Sequence, residues 1–207
     1  MTISRDERGA LADLFLSVGP DAPTLCEGWT ARDLAVHLVV REYRPDAAAG
    51  MFLAPLHSHL RNVTSTVADR PFEDLVASYR QGPPVWSPMR LVDRFVNLTE
   101  NFVHHEDVRR GGGEWRARAL PRATRDALWR AAGSAARGLI VSSGPTVRLS
   151  RTDGARGNGD TVTIGRGTPE VTVTGSAPEL TLWVFGRDKA CDLTTVGPVG
   201  EVRRRKI

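Results

Sequence analysis

Apolar residues change their spacing at Gly144-Pro145, and this change limits the chain to a small set of folds. Before this point apolar residues recur every three or four positions, which is the period of an amphipathic helix. After it they alternate with polar residues, which is the period of a half-buried strand. We therefore predict an α+β protein with two domains, an up-down helical bundle over residues 1–143 and a small α+β domain over residues 144–207.

Capping residues, prolines and glycines divide the first part into separate helices. Ser4 with Glu7 has the form of a capping box at the start of the first helix, and Thr30 with Asp33 has the same form before the second. The helices predicted after the first cover approximately residues 31–43, 46–67, 72–81, 88–109 and 121–142. The predicted strands are 146–150, 160–164 and 170–174, with 192–196 and 199–204 as further candidates and a short helix over 180–185.

The composition restricts the class of protein. Apolar residues make up 41 % of the chain, which is enough for a packed core. No run of about 18 apolar residues exists to cross a membrane, and the polar start of the sequence lacks the apolar segment of a signal peptide. We therefore expect a cytoplasmic protein in which Cys26 and Cys191, which match no metal or redox spacing, are reduced thiols.

The net charge of +4 does not by itself indicate a nucleic-acid partner. Of the 28 basic residues only Lys189 and Lys206 are lysines, and this preference for arginine is typical of a genome rich in G and C. The basic stretch at residues 203–207 is expected to be a solvated end. We predict that the protein binds neither nucleic acid nor membranes.

All five histidines lie in the helical part: His37, His57, His59, His104 and His105. His37 shares a helix face with Leu34, Leu38 and Arg41 by their spacing of three and four residues. A histidine on an apolar face is either a hydrogen-bonded core residue or a ligand. His57 and His59 lie two residues apart and point to different faces, so that we expect them at the surface.

Glu100 and His104 lie one helical turn apart on the longest predicted helix. A carboxylate and an imidazole at this spacing can chelate one divalent ion such as Zn²⁺, with a third ligand from another helix. The same spacing also suits an ion pair on a helix surface. The neighbouring His105 and Glu106 are expected to face away from such a site, either as supporting residues or toward solvent.

Two segments resemble the superfamily of DinB-like proteins and mycothiol-dependent maleylpyruvate isomerases from actinobacteria. The first runs from Leu25 to His37 and contains Gly-Trp-Thr-Ala-Arg-Asp-Leu-Ala-Val-His, and the second is the Glu-Asn-Phe-Val-His run from Glu100 to His104. The resemblance covers nearly the whole chain. It implies that His37, Glu100 and His104 are the three metal ligands and that the C-terminal part is similar to a sterol-carrier-like domain.

The same resemblance implies a reaction class. Such a three-ligand site, open to solvent, binds zinc or another divalent metal together with a low-molecular-weight thiol such as mycothiol. The implied activity is a transferase or isomerase acting on a small electrophilic substrate, with Arg187 as the candidate assisting residue in the C-terminal domain. A non-catalytic metal-binding or stress-response module is the alternative, and the protein is expected to be a monomer or a homodimer.

Overall fold

The computed structural model describes residues 2–90, 96–141, 143–154 and 160–205, and the side chains of Pro88 and Val96 are not described. The chain divides into two compact units, Met1–Trp115 and Arg116–Ile207. The first unit is helical and the second combines helices with a four-stranded sheet. The predicted α+β class is therefore confirmed.

The first unit is built from helices that begin and end largely where the sequence predicts. They are α1 (Ile3–Val18), α2 (Ala31–Tyr43), α3 (Pro45–Ala48), α4 (His57–Ala68), α5 (Phe72–Gln81) and α6 (Val96–Gly111). Short 3₁₀ turns lie at Ala49–Met51, Ala54–Leu56 and Pro88–Arg90. Residues 91–95 of the helix predicted over 88–109 lie outside the described residues.

The helix predicted over residues 46–67 is interrupted. Pro55 has no N–H group and cannot donate a hydrogen bond inside an α-helix, and the chain makes two 3₁₀ turns before α4 begins. A side chain at Gly50 would meet the carbonyl oxygen of Leu56 at 2.7 Å. The glycine therefore permits the tight approach of these two turns.

The two predicted helix caps differ in outcome. Thr30 and Asp33 form the predicted capping box of α2, with the Asp33 amide donating to Thr30 Oγ1 at 3.3 Å and the Thr30 amide donating to Asp33 Oδ2 at 2.9 Å. The predicted cap at Ser4 is wrong, because Thr2 caps α1 and Ser4 lies inside the helix, where its Oγ accepts from Asn101.

The core of the first unit lies between α1, α2 and α5. Phe15 packs edge-to-face on both Phe72 and Tyr79, with ring centroids 6.1 and 6.2 Å apart. Leu34 and Leu38 are fully buried beside them. Each such large side chain contributes roughly 1.5–3 kcal/mol to stability when it leaves water.

The second unit packs two helices on one sheet. Its elements are α7 (Arg122–Leu139), β1 (Pro145–Arg151), β2 (Asp160–Ile164), β3 (Gly167–Gly175), α8 (Ala177–Val184) and β4 (Thr194–Val196). The strand order is β2-β1-β3-β4, with β1 and β3 parallel and the outer pairs antiparallel. Alternate residues of β1 are buried, as the sequence pattern predicts.

The C-terminal end of the second unit departs from the sequence-based expectations. The candidate strand 199–204 is a 3₁₀ turn at Val199–Glu201 followed by a single bridge between Arg204 and Ile140. Arg204 is not a solvated end residue, because its guanidinium lies 4.1 Å from the ring centroid of Trp183 and pairs with Asp188 at 2.7 Å. Lys206 and Ile207 lie outside the described residues.

The compact units divide at Trp115, ahead of α7, whereas the change of apolar spacing in the sequence follows α7. The domains over 1–143 and 144–207 therefore remain a sequence-based prediction. Among the residues that the structure describes, no helix has the length and apolar character needed to cross a membrane.

Candidate metal centre

Two helices of the first unit bring His37, Glu100 and His104 together. Glu100 Oε1 lies 3.2 Å from His104 Nε2 and 3.8 Å from His37 Nε2. The three potential ligand atoms lie within 4.8 Å of one another, and the two imidazole rings are 5.5 Å apart between centroids. Both imidazoles thus present their Nε2 atoms toward one carboxylate oxygen.

The helix spacing predicted from sequence accounts for the approach of Glu100 to His104. Glu100 and His104 occupy one face of α6, and His37 projects from α2 between the fully buried Leu34 and Leu38. The capping box fixes where α2 begins. The interpretation of Glu100 and His104 as a pair on an exposed helix surface does not hold, because the His104 side chain is only 10 % exposed.

The donor set fits a divalent metal ion. Two neutral imidazoles and one carboxylate form the three-ligand set that catalytic zinc sites use while one coordination position stays open. The side chains of His37 and Glu100 each remain 19 % exposed, so the cluster reaches solvent on one side. A set of this kind can bind an ion and still admit a further ligand.

Asp107 and Cys26 support His104 from the side opposite Glu100. Asp107 Oδ2 lies 2.9 Å from His104 Nδ1, and the Cys26 thiol donates to the same oxygen at 3.2 Å. Cys26, His104 and Asp107 form a second group of potential metal ligands that shares His104 with the first. The two ring nitrogens of His104 therefore face different carboxylates.

Sequence reasoning missed both of these residues, for different reasons. Asp107 follows His104 by three positions on α6, so helical spacing contained the signal for it. The contact between Cys26 and Asp107 joins residues 81 positions apart, and no local pattern indicates it.

Arg41 places a positive charge beside the cluster. It lies one turn after His37 on α2, and its Nε atom is 3.5 Å from Glu100 Oε1. Its Nη1 and Nη2 atoms both donate to Asn97 Oδ1 at 3.3 Å, which fixes the guanidinium. The ring of Trp29 packs on that of His37, with 5.2 Å between centroids.

The surroundings shift the pKa values of all three residues. Burial alone would raise the pKa of Glu100, but hydrogen bonds with His104 and His37 and the charge of Arg41 hold this pKa well below its usual value. Burial alone would lower the pKa of His104, yet hydrogen bonds with Asp107, Cys26 and Glu100 raise it well above its usual value. Burial lowers the pKa of His37, with the hydrogen bond to Glu100 opposing it.

These shifts predict how metal binding depends on pH. Below the raised pKa of His104 its imidazole is protonated, and a metal must displace that proton. Glu100 stays ionised and His37 stays neutral near pH 7. Metal binding is therefore expected to release mainly one proton, that of His104. We expect the metal association constant to rise by about tenfold per pH unit from about pH 6 until the pH passes the pKa of His104.

Competition with a chelator at about pH 6, 7 and 8 measures this dependence, with the protonation of the chelator corrected by a titration without protein. Calorimetry in buffers of different ionisation enthalpy counts the released proton directly. An association constant that does not change over this range would contradict the protonated state assigned to His104.

The remaining histidines lie elsewhere. His57 and His59 are exposed on α4, as predicted, and His59 pairs with Asp46 at 2.8 Å. Of the two alternatives for His105 and Glu106, exposure to solvent is wrong, because both are buried. His105 Nδ1 lies 2.8 Å from Glu7, and Glu106 accepts hydrogen bonds from Arg109.

Arg187 belongs to the second unit and follows the end of α8. Its amide donates to the carbonyl oxygen of Leu182 at 3.0 Å, and its Nη1 donates to the carbonyl oxygen of Phe185 at 2.6 Å. These contacts fix the residue at the helix end. Its role as an assisting residue stays a prediction.

Comparison with known proteins supports the fold. No protein-family model and no curated protein sequence matches the chain. The crystal structure of the mycothiol-dependent maleylpyruvate isomerase matches with a TM-score of 0.63 at 18 % identity, over 98 % of this chain and 94 % of that one. A mutant of that enzyme matches with a TM-score of 0.62 at the same identity and coverage. The predicted resemblance is thereby confirmed at the level of the fold.

Proposed function

We propose that the protein binds one divalent metal ion through His37, Glu100 and His104 and acts as a thiol-dependent transferase or isomerase. The observation that carries the proposal is the approach of two imidazole Nε2 atoms to one Glu100 oxygen at a partly exposed position. The fold shared with a mycothiol-dependent isomerase supports it. The proposed substrates are small electrophiles, and mycothiol is the proposed thiol.

The proposed metal is Zn²⁺, which the two imidazoles and the carboxylate suit. Bound there, such an ion would lower the pKa of a thiol so that it binds as thiolate. Glu100 contributes the single negative charge of the ligand set. Arg41, 3.5 Å from that carboxylate, adds a positive charge that favours an anionic thiol or substrate nearby.

Trp29 and Arg187 also have roles in the proposed function. The ring of Trp29 is 39 % exposed and packs on His37, so it offers an aromatic surface next to the metal ligands. Arg187 is proposed as the assisting cation on the strength of the sequence resemblance alone. We propose a cytoplasmic protein that acts on small molecules, as a monomer or a homodimer.

A direct test combines metal-loaded protein with mycothiol and a panel of electrophiles that includes maleylpyruvate. We expect thiol addition or isomerisation to accelerate only when protein, metal and thiol are all present. The His104→Ala variant should lose this acceleration, whereas His59→Ala, which removes an exposed histidine, should retain it.

The outcomes separate two functions. Confirmed metal binding without acceleration for any electrophile would contradict the enzymatic proposal. Binding of mycothiol without turnover would instead identify the protein as a non-catalytic binding module.

A further inference from the structure

We propose that Asp107 is the positioning residue of the metal centre, because its carboxylate orients His104 so that Nε2 faces the metal. The proposal rests on the proposed metal site and adds to it the residue that selects the ring nitrogen. The sequence motifs assign no role to Asp107, because it lies beyond the run from Glu100 to His104.

The geometry defines the tautomer of His104. A neutral imidazole carries its proton on one nitrogen and offers a lone pair on the other, and an ionised carboxylate only accepts hydrogen bonds. Asp107 Oδ2 lies 2.9 Å from Nδ1, so the proton resides on Nδ1. When a metal displaces the Nε2 proton that faces Glu100, the proton held on Nδ1 leaves the lone pair on Nε2, toward Glu100 and His37. Histidine ligands in metalloproteins generally have such a partner on their second nitrogen.

The position of Asp107 is itself fixed. Its side chain is completely buried, and its backbone carbonyl oxygen accepts from the Leu25 amide at 3.0 Å. The Cys26 thiol donates to the same Oδ2 that faces His104. The segment that connects α1 to α2 therefore holds this carboxylate in place.

The close packing of that segment on α6 is visible at Gly111. A Cβ atom there would collide with the backbone of Pro23 and Thr24, so only glycine permits this approach. Thr24 Oγ1 in turn accepts from the Cys26 amide at 3.1 Å, which fixes the backbone of Cys26 in this segment. The carboxylate thus meets His104 from a buried, closely packed position rather than from the surface.

The test is the Asp107→Asn variant, which keeps the size of the side chain and removes its charge. An asparagine amide can donate to Nδ1 and so favour the tautomer with the proton on Nε2, where it competes with the metal. We expect Zn²⁺ affinity, measured by chelator competition, to fall by about 10–100-fold. The absorption bands of the Co²⁺-loaded protein should shift, which a purely structural role of Asp107 would not produce.

Asp13→Asn is the matched control, because it makes the same substitution at a carboxylate that is 73 % exposed and pairs with Arg80 at the surface. Water screens that pair, so we expect the Zn²⁺ affinity of this variant to stay within about threefold of the wild type. Thermal unfolding of the metal-free variants shows whether each has folded.

Long-range ¹H–¹⁵N NMR of the wild-type protein loaded with Zn²⁺ tests the proposal without any substitution. We expect the proton on Nδ1 of His104 and the metal on Nε2. Metal on Nδ1, or wild-type Zn²⁺ affinity in folded Asp107→Asn, would overturn the role of Asp107. If wild-type protein binds no Zn²⁺ at all, the metal site itself fails, and this outcome is distinct from the others.

Discussion

Replacing His104 with alanine is expected to weaken metal binding by more than about 100-fold. Loss of a residue that only supports a ligand costs roughly 10–100-fold in affinity, and loss of a ligand removes a metal bond as well. His104 connects the two carboxylates of the centre, since it contacts Glu100 through one ring nitrogen and Asp107 through the other. Two ligands from different helices would then remain.

The measurement is elemental analysis of protein purified without added metal, followed by chelator competition. His59→Ala serves as the control, since it removes an exposed imidazole from α4 in the same unit. Alanine suits a helix interior, so α6 should persist in the variant, and circular dichroism checks this. Stoichiometric metal in folded His104→Ala would contradict the ligand assignment.

Relations within a single helix were predictable from the sequence. His37 and Arg41 lie one turn apart on α2, and both side chains reach Glu100 in the structure. Glu100 and His104 share a face of α6 as their spacing predicts. These predictions succeed because the geometry of a helix depends on residue spacing alone.

Relations between distant segments were not predictable. Ser4 and Glu7 look like a capping box in the sequence, but α6 uses both side chains, through Asn101 and His105. Thr2 caps α1 instead. The local preference was overridden by contacts that only the folded unit creates.

The same limit applies to Cys26 and to the compact units. Cys26 matches no metal spacing, yet packing of the α1–α2 segment on α6 brings its thiol to Asp107. The sequence pattern of α7 is that of the preceding helices, but α7 packs with α8 in the second unit. Helical spacing predicts that a helix has an apolar face but does not predict which other element packs on that face.

Replacing Glu42 with glutamine is expected to destabilise the first unit by about 3–5 kcal/mol. Arg8 and Glu42 form a bidentate pair between α1 and α2, with Nη1 donating to Oε2 at 2.7 Å. The Glu42 side chain is fully buried and that of Arg8 is 6 % exposed. Removal of the carboxylate charge leaves the guanidinium in a low-dielectric environment without the anion that offsets its desolvation.

The expected loss of stability is large because Arg8 connects three helices. Its Nη1 also donates to the carbonyl oxygen of Tyr79 at the end of α5, and its guanidinium lies 4.7 Å from the centroid of the Tyr79 ring. Urea unfolding measures the change in free energy, and hydrogen exchange of α1, α2 and α5 assigns it to the first unit. Glutamine keeps the side-chain volume, so a cavity does not account for the effect.

Asp13→Asn is the matched control, because it neutralises a carboxylate that pairs with Arg80 between α1 and α5 at the surface. The side chains of that pair are 73 % and 41 % exposed, and water screens their attraction. We expect a change below about 1 kcal/mol for this variant. If Glu42→Gln changed the free energy of unfolding no more than Asp13→Asn does, then the Arg8 charge would be solvated in the folded protein. The assignment of a buried, water-excluded ion pair between α1 and α2 would then be incorrect.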